Sequence, residues 1–129
     1  MRKIIVAPLE SVNGIRFGAQ REIVRNAFGS FEEFKKSPFS KNTSDDFGDF
    51  HIFYDSNNCF EAVEIFEAEV KINNTVIFPG TLAEANKLIA DLKSNDPDYW
   101  ISKEQSVGLC APDGEIESIL FGIKKYYGE

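Results

Sequence analysis

The sequence predicts an α+β fold, an antiparallel sheet with helices on one face, built from two tandem helix–hairpin units. Three observations predict it: amphipathic stretches with helix punctuation at residues 19–28 and 82–93, β-rich runs flanking a turn after each, and the same order of elements in both halves. The 129 residues are 43% hydrophobic with twelve Phe, enough to bury a core without staples. One domain over residues 1–129 is expected, with a possible internal repeat of about 15–78 against 79–129.

Ile4, Ile5 and Val6 give a first strand that ends before Pro8, which cannot donate to a ladder. Val12-Asn13-Gly14-Ile15 reads as a turn. Over residues 19–28, Ile23, Val24, Ala27 and Phe28 share one helical face, and Gly29 suits the positive φ of a C-terminal cap. Residues 30–49 mix Phe31, Phe34, Phe39 and Phe47 with Ser, Asn, Asp and Pro, the composition of a pinned loop with one short strand near Phe34.

Phe50–Tyr54, the turn Asp55-Ser56-Asn57-Asn58 and a long strand over residues 59–72 form the first hairpin. Val63 and Ile65 lie on one face of that strand while Phe66, Ala68, Val70 and Ile72 lie on the other, so a bulge near Ile65 is expected to swap them. Asn73-Asn74 turns into a third strand at residues 76–78, and Pro79-Gly80 breaks it. Thr81-Leu82-Ala83-Glu84 is a capping box, and the stripe Leu82, Ala85, Leu88, Ile89 and Leu92 carries the second helix to about Lys93. Asp96-Pro97-Asp98 stops it, and Trp100 anchors the next loop. A strand at 107–111, the turn Pro112-Asp113-Gly114 and a closing strand at 115–127 complete the chain.

Net charge is −7, from 21 acidic and 14 basic residues. Phosphate binding needs clustered Lys and Arg, so nucleic acid is not the expected ligand and a basic protein is. Between Asn42 and Val70 there is no Lys or Arg, while Asp45, Asp46, Asp49, Asp55, Glu61, Glu64, Glu67 and Glu69 all lie there. This ladder and loop, with Phe47 and Tyr54 as aromatic anchors or core side chains, are the candidate partner-binding residues.

His51 is the sole histidine, and a grouping with Cys59 and a carboxylate lacks the glycine-rich elbow and oxyanion loop that nucleophilic catalysis needs. Binding rather than enzymatic turnover is expected, with a small enzyme using His51 or a self-associating module as the alternatives. The aspartates lack the spacing of a calcium loop, and no phosphate-cradling glycine motif occurs, so neither metal nor cofactor is expected. Cys59 and Cys110 are expected as reduced thiols, a cross-strand disulfide being the alternative. No apolar run is long enough for a membrane span or a signal peptide, which points to the cytoplasm.

The segment Ile15-Arg16-Phe17-Gly18-Ala19-Gln20-Arg21-Glu22-Ile23-Val24-Arg25, ending in Phe28-Gly29, resembles the helix of the β-lactamase-inhibitory-protein-like and small outer-membrane-assembly-lipoprotein folds. That resemblance implies helix–hairpin modules presenting a sheet to another protein. It departs in having Ser30-Phe31-Glu32 where Pro usually follows the final Gly, and in lacking a lipoprotein cysteine near the N-terminus. The arrangement Phe-Gly-x-x-Arg-Glu-x-Val from Phe17, His-x-x-Tyr-Asp from His51 and Glu-Ala-Val-Glu-Ile-Phe from Glu61 is similar to small bacterial immunity proteins of polymorphic and contact-dependent toxin systems. It implies a protein that blocks one cognate toxin.

Overall fold

Strands dominate because apolar residues recur at alternate positions along most of the chain. The computed structural model describes residues 2–128. In chain order it contains β1 (Arg2–Ala7), β2 (Ser11–Val12), β3 (Ile15–Arg16), α1 (Arg21–Phe28), β4 (Glu32–Phe34), β5 (Ser44–Asp46), β6 (Phe50–Tyr54) and β7 (Phe60–Ile65). There follow β8 (Ala68–Ile72), β9 (Thr75–Phe78), α2 (Leu82–Leu88), β10 (Lys93–Asp96), β11 (Tyr99–Ser102), β12 (Val107–Cys110) and β13 (Ser118–Gly122). With 45% of the chain in strands and 12% helical, the fold is mostly β, which overturns the α+β expectation.

Two sheets form. One has five strands in the order β3-β2-β1-β8-β9, in which β1 and β8 run parallel. The other is an antiparallel sheet of eight strands in the order β10-β11-β12-β13-β7-β6-β5-β4. The main core joins side chains of both sheets, including Ile4 and Val70 from the first and Phe50, Val63 and Phe121 from the second, with Val24 of α1 and Ala85 of α2.

The long strand expected over residues 59–72 is two strands in different sheets. β7 ends at Ile65, the amides of Phe66 and Glu67 donate to the Asp49 carbonyl at 3.2 and 3.1 Å, and β8 begins beside β1. This crossing, not a bulge near Ile65, buries Val63 and Ile65 together with Ala68, Val70 and Ile72. The register shift on this hairpin falls instead between Phe53 and Tyr54, which pair with Ala62 and Phe60.

The helix–hairpin unit is likewise replaced. Each helix is followed by a four-stranded meander, β4 to β7 after α1 and β10 to β13 after α2, and β7 pairs with β13 to make one sheet. Both helices are attached in the same way: the N-cap residues Gln20 and Thr81 form isolated bridges to Cys59 and Glu115, in the last turn of each meander.

Helix α2 shows the capping box, with Glu84 N donating to Thr81 Oγ1 and Thr81 N donating to Glu84 Oε1, each at 3.2 Å. It stops at Leu88 rather than near Lys93, because residues 93–96 pair with β11. The inward face of α1 is also displaced from the apolar one expected. Val24 is buried and Phe28 packs on Phe50 at 4.9 Å, but Ile23 is 55% exposed and Arg21 and Arg25 turn toward the sheet instead. The closing strand is short, ending at Gly122.

Candidate functional site

Alternation divides the large sheet into two faces. Phe50, Ile52, Val63, Ile65, Ile119 and Phe121 enter the main core, whereas Phe53, Ala62 and Leu120 form a separate small cluster on the outer face with Phe34, Tyr126 and Tyr127. The buried residues of both helices belong to the main core, so neither helix covers this outer face. Its cover is the turn after β13, which lays Tyr126 and Tyr127 over glycines. A Cβ on Gly122 would stand 2.6 Å from Tyr126 Cγ, and one on Gly108 would collide with the Tyr127 hydroxyl.

Beside these tyrosines runs an open groove of about 420 Å³, lined by Lys36, Phe53, Glu64, Asn95, Asp96, Tyr99, Ile101, Leu120 and both tyrosines. Glu64 lies on a central strand, between His51 on β6 and Leu120 on β13. It is partly buried, and among the described residues its carboxylate has neither a hydrogen bond nor an ion pair. Burial raises the Tyr99 phenol above its ordinary range, and the Glu64 charge raises it further. Tyr127 is raised by burial, by the neighbouring Tyr99 and Tyr126, and by Glu64. The Cys110 thiol, paired across the ladder with Tyr99, is pushed up by burial and by the charges of Glu117, Asp98, Asp96 and Glu64. Glu64 thus acts on all three of these groups, and Lys36 is the cation that lines the same groove.

A second groove of about 700 Å³ opens where the chain passes from β7 to β8. Asp49, Glu67 and Glu117 rim an apolar floor that includes Phe66, Phe78 and Ile116, and Arg2 pairs with Asp49 at 3.5 Å. Phe66 links the two regions, since its ring meets that of His51 edge-on at 4.8 Å.

The residues singled out from the sequence separate into distinct environments. Asp45 is 0% exposed and belongs to no surface. It accepts from Arg25 at 2.8 and 2.9 Å, from Arg21 Nη2 at 2.8 Å and from the Tyr54 hydroxyl at 2.8 Å. Burial by itself raises its pKa, but these hydrogen bonds outweigh that and hold it at about 2. Tyr54 is buried against the same carboxylate, which together with burial raises its phenol, and Phe47 is a core residue stacked on Phe50 at 5.3 Å. Neither is exposed as an interface anchor.

Asp46 ends β5 between Glu32 of β4 and His51 of β6, 3.6 Å from His51 Nε2, and accepts from Gly48 N at 2.8 Å. Asp55 organises its turn by accepting from the amides of Asn57 and Cys59 at 2.9 and 3.0 Å. Glu61 sits at the register shift opposite β6, Glu67 is exposed at the crossing, and Glu69 is partly exposed on β8 beside Lys3. Only Glu64, Glu67 and Asp49 among them line the two grooves.

The ladder sets His51 opposite Glu64, whereas Cys59 lies beyond the Tyr54 and Phe60 pair, with its sulfur 3.7 Å from the Asn57 carbonyl. A His51–Cys59 pairing is thus not formed. Both cysteines are free thiols, and among the described residues no three His, Cys, Asp or Glu side chains converge as a metal site. No helix is long and apolar enough to cross a membrane.

Sequence reasoning did not reach Lys36, Tyr99, Tyr126 or Glu117 as groove residues, because their grouping depends on which strands pair. The available signal was Tyr126-Tyr127 following two glycines that alternate with large apolar residues, Gly108 before Leu109 and Gly122 after Phe121. No known protein family matches the chain, and no curated protein and no solved structure matches it.

Proposed function

We propose that this chain is a protein-binding module that works in the cytoplasm, and that it engages a basic partner with the outer face of the large sheet and the adjoining groove. Its most specific role in this reading is that of an immunity protein, neutralising a cognate toxin by covering its active site. Binding rather than catalysis is the action proposed.

The single observation that carries the reading is Glu64, a partly buried carboxylate without a partner among the described residues, set among tyrosines on a sheet face that no helix covers. Its oxygens stay open to the groove, where a partner's cation can meet them directly and gain a charged contact beside apolar and aromatic side chains. Aromatic side chains nearby supply the rigid apolar area on which interface energy concentrates. The net charge of −7 speeds encounter with a basic surface and discriminates against acidic ones.

The test is capture from a lysate of the source cells at low and high salt by the wild-type protein, Glu64→Lys and Glu67→Lys. One basic protein retained by the wild type and lost from both variants is expected. Equal capture by all three would overturn the use of this face.

A further inference from the structure

The outer groove already holds an ammonium from its own chain. Lys36, in the segment after β4, places Nζ 4.3 Å from the centroid of the Phe53 ring and donates to the Tyr126 hydroxyl at 3.3 Å. Among the described residues it makes no ion pair, so aromatic face and phenol are the partners that hold it. Glu64, in the same groove, is the complementary half: a carboxylate with no cation.

We propose that this groove is a receptor for a primary ammonium of lysine type carried by the partner, and that Lys36 occupies one end of it as a displaceable internal stand-in. The proposal depends on the protein-binding reading only for what carries the ammonium. Phe53, Leu120 and Ile101 offer the apolar wall that a four-carbon stem needs, while Glu64 and the phenol oxygens meet a compact charge at its tip. Two ammonium groups in one groove repel, so Lys36 must leave as the ligand enters. It is free to do so: it is exposed and belongs to no strand.

The probe is n-butylammonium, a lysine side chain without its backbone, with n-butanol as the neutral control and methylguanidinium as the arginine analogue. Each is titrated into wild-type protein, Lys36→Met and Lys36→Met/Glu64→Gln, following the ring resonances of Phe53, Tyr99 and Tyr126. Butylammonium should shift these rings saturably, and Lys36→Met should bind it about three- to tenfold more tightly because the competing internal state is gone. The added Glu64→Gln should abolish that gain. Equal shifts with butanol, no gain in Lys36→Met, or tighter binding of methylguanidinium would each overturn the proposal. Lys36→Gln serves in its place if Lys36→Met loses the dispersed amide spectrum of the native fold. Saturable butylammonium binding with no protein captured would sink the protein-binding reading and leave the ammonium site standing; the reverse pattern would do the opposite.

Discussion

Arg25 grips Asp45 with two parallel hydrogen bonds, Nε to Oδ2 at 2.8 Å and Nη2 to Oδ1 at 2.9 Å. The pair joins the middle of α1 to β5, and Arg21 and Tyr54 complete the cradle from the preceding helical turn and from β6. Glu33 takes the remaining reach of Arg25 at 2.7 Å, so the guanidinium is neutralised on both sides.

Removing the Asp45 charge leaves Arg21 and the partly exposed Arg25 without the buried carboxylate they share. Asp45→Asn should cost roughly 3–5 kcal/mol, the usual loss when one partner of a buried pair is deleted. Urea unfolding followed by circular dichroism should show a lower midpoint with unchanged slope.

The same carboxylate sets an acid limit. Its pKa falls from an ordinary 3.8 to about 2 on folding, so the unfolded chain takes up the proton first as pH drops. Its contribution is fully present above about pH 4 and is lost as pH falls through about 2, a loss on the order of 2 kcal/mol. Stability measured between these limits should fall in the wild type and stay flatter in Asp45→Asn.

Gly108→Ala should displace Tyr127, since the added methyl meets its hydroxyl. Overpacking of this kind costs about 1–3 kcal/mol. The double variant Gly108→Ala/Tyr127→Ala should lose less than the sum of its parts in a thermal melt, the sign of two residues contending for one space.

Glu64→Gln should lower the pH at which Tyr99 and Tyr127 ionise, because it removes a negative charge that opposes both phenolates. Absorbance of phenolate on titration reads this directly. An unchanged curve would mean that Glu64 stands farther from the phenols than the groove implies.

Thr81→Ala should lose about 0.5–2 kcal/mol, as caps do, and should loosen the bridge that ties α2 to Glu115. Amide exchange in residues 82–85 and 115–116 should quicken together.

Local chemistry was legible wherever a few neighbouring residues decide the outcome. The capping box at Thr81 and Glu84, the turn at residues 55–58 and the first strand all follow from such neighbours. What depended on distant pairing was not. The change of parity after Ile65 reads identically as a bulge or as a passage between sheets, and only β1, waiting to receive β8, decides between them. Leu92 fits the helical stripe, but pairing with β11 outweighs the propensity of the residues after it. Asp45 reads as one carboxylate of an acidic surface because its neutralising arginines lie on a helix whose apolar face in the sequence is Ile23, Val24, Ala27 and Phe28, of which only Val24 and Phe28 turn inward. The spacing of Arg21 and Arg25, one helical turn apart, was the clue that they act together. Of the candidate site, Glu64 and Glu67 were legible as charges, but their aromatic surroundings were not.

The join between β7 and β13 also bears on how the molecule is made. During synthesis β7 emerges with β6 already available, but its other edge stays open until residues 118–122 have left the ribosome. For that interval a nascent chain carries an unpaired, strongly apolar strand in the middle of what will be its largest sheet, the arrangement most prone to wrong pairing with another copy. Glu61 and Glu64, spaced along that same strand, supply like charges that discourage two nascent chains from zipping together before Ile119 arrives to pair with Ile65.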